Sequence, residues 1–173
     1  MDAILVVYYS YTGVSRRAAQ LLASHHGWPL GEVQELKPRA GLLGGVRCVL
    51  DSLLRRRPPV SYDGPPPGNF RTVVLVSPIW MYQMAGPMRS FVDQNAMRIH
   101  RVAQVTTLNA GGASNAIREV ARMLLRPPIL TAEFTSREIE DGSGTARLLA
   151  FGDALVAKPA QKPSPAPATA AAA

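Results

Sequence analysis

Three short stretches of this 173-residue chain carry residue types that could hold a ligand, and each follows an apolar run. The first, Ser10-Tyr11-Thr12-Gly13-Val14-Ser15, sets small hydroxyl residues around a glycine. Hydroxyls donate hydrogen bonds, glycine lets the backbone approach closely, and a helix beginning there turns N–H groups and a positive dipole end toward an anion. No lysine follows the glycine, so this is not a triphosphate-hydrolysing loop with its lysine and metal; a monoester phosphate suits it better. The simpler alternative is a serine N-cap at an ordinary strand-to-helix turn.

The second stretch, Ser77 to Pro87, presents Trp80, Tyr82, Met81 and Met84 where a polar loop is usual. Aromatic and thioether groups suit a flat heteroaromatic ligand, with Trp80 as the stacking candidate. The alternative is that Trp80 and Met84 pack beneath the loop. The third stretch, Leu108-Asn109-Ala110-Gly111-Gly112-Ala113-Ser114, offers two adjacent glycines for close backbone approach and one amide side chain. Ser114 reads as a helix N-cap.

The elements that must position these stretches follow from hydrophobic periodicity. Ile4 to Tyr9 reads as a strand buried on both faces. Ala18, Leu21 and Leu22 mark a helix over Val14 to Ser24, Val33 to Leu36 a weak second strand, and Leu42 to Leu53 one face of a helix ending near Arg57. Pro58 to Gly68 reads as a loop. Thr72 to Val76 is the third strand, followed by a helix opened by Pro87. Val102 to Leu108 is the fourth strand, and a helix through Ile117 and Leu124 stops at Pro127-Pro128. Ile129 to Phe134 is the fifth strand, and Leu148, Phe151 and Leu155 lie on a last helix. Strands alternating with helices predict an α/β three-layer sandwich, with a five-stranded parallel sheet of order 2-1-3-4-5. Ligands in such sheets bind beyond the strand carboxyl ends at the switch point, which is where the three stretches fall.

Residues 1–157 form the expected domain, and residues 158–173, rich in proline and alanine, a disordered tail. No run approaches the length of a membrane span, and no basic segment precedes the first apolar run, so a cytoplasmic protein is expected. The one cysteine, Cys48, cannot form an internal disulfide and reads as core. The net charge of +7 is scattered, apart from Arg55-Arg56-Arg57 beside a predicted helix end, and nucleic acid is not the expected partner. His25 and His26 read as solvated residues closing a helix, and Asp93 and Glu119 as solvated helix positions. No metal-ligand spacing is present.

Together these residues resemble the flavodoxin family. Val6 to Ser15 is similar to its phosphate loop, S/T-x-T-G-x-S/T after strand 1. Val76 to Gln94 looks like its strand-3 loop and following helix, also found in FMN-dependent NAD(P)H:quinone reductases, and Leu108 to Ser114 matches the third loop in position and character. The resemblance covers about Met1 to Ala157. It implies the flavodoxin-like fold and FMN, with Ser10, Tyr11, Thr12, Gly13, Val14 and Ser15 at the phosphate. Pro78, Ile79, Trp80 and Met81 would line the isoalloxazine, and Asn109, Gly111 and Gly112 its pyrimidine side. It implies redox function, in exchange either with a protein partner or with NAD(P)H and a small quinone-like acceptor, and it is compatible with a homodimer. No side chain is needed as a catalytic acid or base. Electron-carrying flavodoxins are typically acidic and often bring an aromatic from the third loop. This chain is basic and has no aromatic between Leu108 and Ser114, which favours a reductase. The alternatives are a flavodoxin-fold binding or assembly module without flavin and, third, a basic nucleic-acid module.

Overall fold

A strand that is apolar on both faces must be covered on both, and Ile4–Tyr8 is buried at every position as strand β1. The computed structural model describes residues 3–36, 56–108 and 112–157. It places β1 between β2 (Leu30–Glu35) and β4 (Thr72–Trp80), parallel to both. Beyond β4 come β6 (Val102–Leu108) and β7 (Thr131–Thr135), also parallel. These five strands stand in the expected order.

The sheet is larger than expected by two strands. Strand β3 (Val60–Asp63) joins the edge of β2 antiparallel, inside the segment read as a proline loop. The prolines only flank Val60–Asp63, and an edge place is where broken flanking sequence is tolerated. Gly31 on β2 makes the room: a Cβ there would lie 2.3 Å from the Tyr62 hydroxyl. Burial, with Asp63 adding to it, pushes the Tyr62 phenol up to about 12. The seventh strand, β5 (Gln83–Met84), folds back on the end of β4.

Alternation along β1 divides the core into two layers. Ile4, Val6 and Tyr8 face helices α1 (Val14–His26) and α5 (Thr145–Ala157). Leu5 and Val7 face α2 (Gly86–Asn95) and α3 (Ala113–Leu124). A short α4 (Ser136–Glu140), not anticipated, starts on a complete capping box between Thr135 and Glu138. Its Thr-Ser-Arg-Glu signature was present in the sequence. Of the helix expected to end near Arg57, only Arg56 and Arg57 are described, and neither is helical; the rest, with Cys48, lies outside the described residues. The tail expected from Lys158 onward also lies outside them. No helix among the described residues is long and apolar enough to cross a membrane.

Among the polar links that tie elements together are two ion pairs. Arg16 of α1 donates to Glu32 of β2 at 2.6 Å, and Gln34 donates to the same carboxylate at 3.1 Å. Burial alone would raise the Glu32 carboxyl, but the hydrogen bonds from Arg16 and Gln34 outweigh it and hold it below its ordinary value. The second link is buried. Arg89 of α2 pairs through Nε with the Glu119 carboxylate of α3, and its Nη2 donates to the Met84 carbonyl at 3.0 Å. Its Nη1 donates to the Arg56 carbonyl at 3.1 Å, and the Met84 N–H donates to Glu119 at 3.4 Å. Glu119 was expected to be solvated and is instead 7% exposed. It lies on the same side of α3 as Ala116 and Val120, so it enters the core and needs the guanidinium there.

Arg89→Met should therefore lower unfolding stability by about 3–5 kcal/mol, because it strands a buried carboxylate. The double variant Arg89→Met with Glu119→Leu should regain much of that loss; urea denaturation measures both. Glu32→Gln should cost less than about 1 kcal/mol near neutral pH, since the pair is partly exposed. The depressed folded-state value means that the carboxylate stabilises the fold above its unfolded-state value, and this is lost as pH falls through the folded-state value. Denaturation curves of wild type and Glu32→Gln should therefore converge on acidification below about pH 4.

Candidate functional site

The carboxyl ends of β1, β4 and β6 each deliver a loop to one edge of the sheet. After β1 the chain curls through Ser10 to Gly13, with the Gly13 N–H donating to Ser10 Oγ at 3.0 Å. Gly13, at φ +95°, is the N-cap of α1, a left-handed conformation that glycine adopts without a Cβ penalty. As glycine it offers no side-chain acceptor, so the N–H groups of the first turn keep their capacity for an external anion. Thr12 and Gly13 are exposed, Tyr11 is 45% exposed and Ser10 is partly buried. Val14 and Ser15 are buried. The Ser15 hydroxyl, expected to donate to a ligand, is hydrogen-bonded to the Thr107 hydroxyl at 2.7 Å within the core. Ser15 therefore retains its main-chain N–H for the site rather than its hydroxyl.

The second stretch is a strand and hairpin rather than a loop. Strand β4 continues past its last pairing with β1, Tyr8 to Val76, and stays paired to β6 through Ser77 and Pro78. Ile79 and Trp80 then pair with Met84 and Gln83. The turn between them is Met81-Tyr82, at φ +47° and +62°. Two successive positive values are the pattern of a type I′ hairpin turn, whose twist matches the strands but which usually takes Asn-Gly. Nothing in the residue types of Met81-Tyr82 signals such a turn, and the strand expected over Thr72 to Val76 extends to Trp80.

The hairpin carries Trp80 to the first loop. Its ring meets Tyr9 edge-on at 5.6 Å and Tyr11 edge-on at 6.0 Å between centroids. Tyr9, not singled out from sequence, is anchored by its hydroxyl donating to Glu35 at 2.6 Å. Met84, on the return strand, is fully buried, whereas Trp80 is partly exposed. The Arg89–Glu119 pair grips the Met84 backbone from both sides, so it fixes where the hairpin stands.

The third loop is described from Gly112 onward; Asn109 and Gly111 lie outside the described residues. Gly112, at φ +101°, is the N-cap of α3, and a Cβ on it would lie 2.6 Å from Tyr82 Cα. The loop thus closes against the hairpin backbone at a distance only glycine permits. The described parts of all three stretches meet at one edge: hydroxyl and N–H donors on β1's loop, an aromatic wall on β4's hairpin, and bare backbone at Gly112. Such a set can hold an anionic group beside a flat ring, and it contains no acid–base pair.

Other titratable candidates lie elsewhere. His26, expected in solvent, is turned inward at the far end of α1 and stacked on Trp28 at 4.4 Å. Gly152 of α5 leaves it room, since a Cβ there would lie 2.1 Å from His26 Nε2. His25, His26 and Asp153 bring three possible ligand atoms within 4.8 Å of one another there, a grouping that spacing in the sequence did not show. Asp93 is exposed and accepts from Arg57 at 3.0 Å.

No protein-family model and no curated protein sequence matches the chain. Solved structures do. A flavoprotein from Lactobacillus acidophilus NCFM, crystallised in complex with FMN, superimposes with a TM-score of 0.68 at 20% identity, over 83% of this chain and 99% of that one. A WrbA-like flavodoxin from Agrobacterium tumefaciens gives 0.53 at 11% identity, over 91% and 99%. A flavodoxin of Streptococcus pneumonia TIGR4 gives 0.53 at 12% identity, over 89% and 97%. At these identities the likeness is one of architecture, and it covers nearly the whole of each neighbour: the chain has the flavodoxin-like fold.

Proposed function

We propose that this chain binds FMN non-covalently at the carboxyl edge of β1, β4 and β6 and serves as a flavin redox protein. The observation that carries the reading is the convergence on one edge of a glycine-capped helix N-terminus, the partly exposed Trp80 wall and the bare backbone of Gly112. The residues fit the group. Ser10, Tyr11, Thr12, Gly13 and the first-turn N–H groups of Val14 and Ser15 would bind the phosphate by hydroxyl and amide donation at the positive end of α1. Pro78, Ile79, Trp80 and Met81 would line the ring, and Gly112, with Asn109 and Gly111, would approach its polar edge. When bound, FMN supplies transfer of one or two electrons. The side chains orient it and exclude water. The flavoprotein neighbour that carries FMN supports this assignment.

The finer reading is an oxidoreductase passing electrons from NAD(P)H to a small quinone-like acceptor, or a carrier serving a protein partner. The inward-turned Ser15 hydroxyl favours a second reading, a flavin-free binding module, because it removes one expected phosphate donor.

Loading the purified chain with FMN, desalting it and recording its absorbance separates the two. Flavin bands near one equivalent, lost in Thr12→Pro, are expected; a colourless wild type would leave the fold as a binding scaffold. Anaerobic addition of NADPH or NADH should bleach the bound flavin unaided if the chain is a reductase, and leave it coloured if it is a carrier. Gly112→Val, which pushes a side chain into Tyr82 and into a left-handed backbone position, should weaken FMN binding by at least about tenfold. Its far-UV circular dichroism should be unchanged, and fluorescence quenching titration measures the affinity.

A further inference from the structure

A groove of about 670 Å3 runs beside α3 and reaches the hairpin at Gln83. Its wall carries Arg118 and Arg122, one turn apart on α3, and Arg126, two residues past the helix end, all exposed. Like charges at this spacing repel one another, so the row costs stability unless something neutralises it. Nothing among the described residues does. Arg118 donates to the Asn115 side chain, Arg122 to the Arg118 carbonyl at 3.4 Å, and Arg126 to the His100 carbonyl at 2.6 Å. Every acceptor is neutral. Among the described residues the one carboxylate lining the groove, Glu119, is taken by Arg89.

A second cost falls at the same place. The described residues contain three non-glycine positions with positive φ: Met81, Tyr82 and Leu125. All three are also large apolar side chains that remain exposed, at 47%, 58% and 91% respectively. Met81 and Tyr82 precede Gln83 on the hairpin, and Leu125 lines the groove at the C-cap of α3, where glycine is the common residue. Backbone strain and apolar exposure are each unfavourable, and their coincidence at the two ends of α3, beside Gln83 at its start and at its C-cap, marks a surface that something else covers.

We propose that this groove and its apolar rim form a docking site for the acidic face of an electron-exchanging partner protein. This rests on the flavin reading above, since the rim adjoins the candidate flavin edge through the hairpin. Arginine, tyrosine and methionine are the residues enriched at protein interfaces, and a charged wall with a few apolar anchors suits a small, electrostatically steered encounter surface. A nucleic-acid surface would set aromatics among the arginines, and the wall formed by α3 has none. In the docked pair the partner loses the electron that the flavin gains.

Calorimetric titration of the full chain with an acidic [2Fe–2S] ferredoxin at low salt tests the docking directly, whether or not flavin is bound. Saturable binding is expected, weakening at least about tenfold when salt is raised past about 0.2 M. Arg118→Glu with Arg122→Glu should weaken it at least about tenfold at low salt. Leu125→Gly should weaken it severalfold while its melting temperature stays level or rises, because glycine relieves the left-handed strain; a purely structural Leu125 would leave binding unchanged. Absence of ferredoxin binding, or binding indifferent to these variants, overturns the proposal. So does a mixed-sequence DNA duplex that binds in its place and is lost with the same arginines. FMN retention, read by absorbance in the same samples, should be unaltered in both variants. Its failure in wild type would sink the flavin reading and the electron exchange with it, whereas the docking itself is read by heat and stands or falls separately.

Discussion

The Arg89 guanidinium is buried between α2 and α3, and much of the molecule around the site is arranged to satisfy it. A charge in that position is tolerable only with a paired carboxylate and acceptors for its remaining N–H groups. Glu119 supplies the first, and the carbonyls of Met84 and Arg56 supply the others. One residue thereby joins two helices, the return strand of the hairpin and the segment leading into β3. The same segment is held again where the Ser90 hydroxyl donates to the Pro58 carbonyl at 2.7 Å.

From that anchor the geometry of the edge follows. With Met84 gripped, β4 can overshoot β1 and raise Trp80 against Tyr9 and Tyr11, although its turn residues are poor at adopting two positive φ values. The turn in turn sets the distance at which Gly112 approaches. Two of the helices that start at this edge, α1 and α3, begin on a left-handed glycine. Such starts leave first-turn amides without a capping side chain, which weakens an isolated helix but suits an anion at the strand ends. Packing of both helices into the two core layers supplies the stability that capping does not.

The chain carries a net charge of +7. Three exposed arginines, Arg118, Arg122 and Arg126, line the groove beside α3, away from the first loop. The Arg16–Glu32 pair keeps the basic residue nearest the first loop neutralised. Among the described residues no carboxylate pairs with Arg118 or Arg122 on α3, and the strained Leu125 stands at the helix end.

The order of the five parallel strands, the two-layer core and the place of the first loop could be read from the chain alone. Hydrophobic periodicity sets strand against helix, the handedness of crossovers restricts the topology, and glycines at Gly13 and Gly112 punctuate the turns. Those are local or near-local properties. The tertiary structure decided what depends on a distant partner. Strand β3 exists because Gly31, far away in sequence, admits Tyr62. Glu119 is a core residue because Arg89 meets it there, where a carboxylate on a helix otherwise reads as solvated. The hairpin at Met81-Tyr82 contradicts its local turn preference because long-range pairing and the buried ion pair outweigh about 1–3 kcal/mol of backbone strain at each position. Ser15 looks like a phosphate donor in sequence and turns to Thr107 because burial gives its hydroxyl a partner across the sheet. Local sequence determined the framework, since it follows from each segment's own pattern. Contacts between remote residues decided which side chains face the edge, since burial energies belong to pairs.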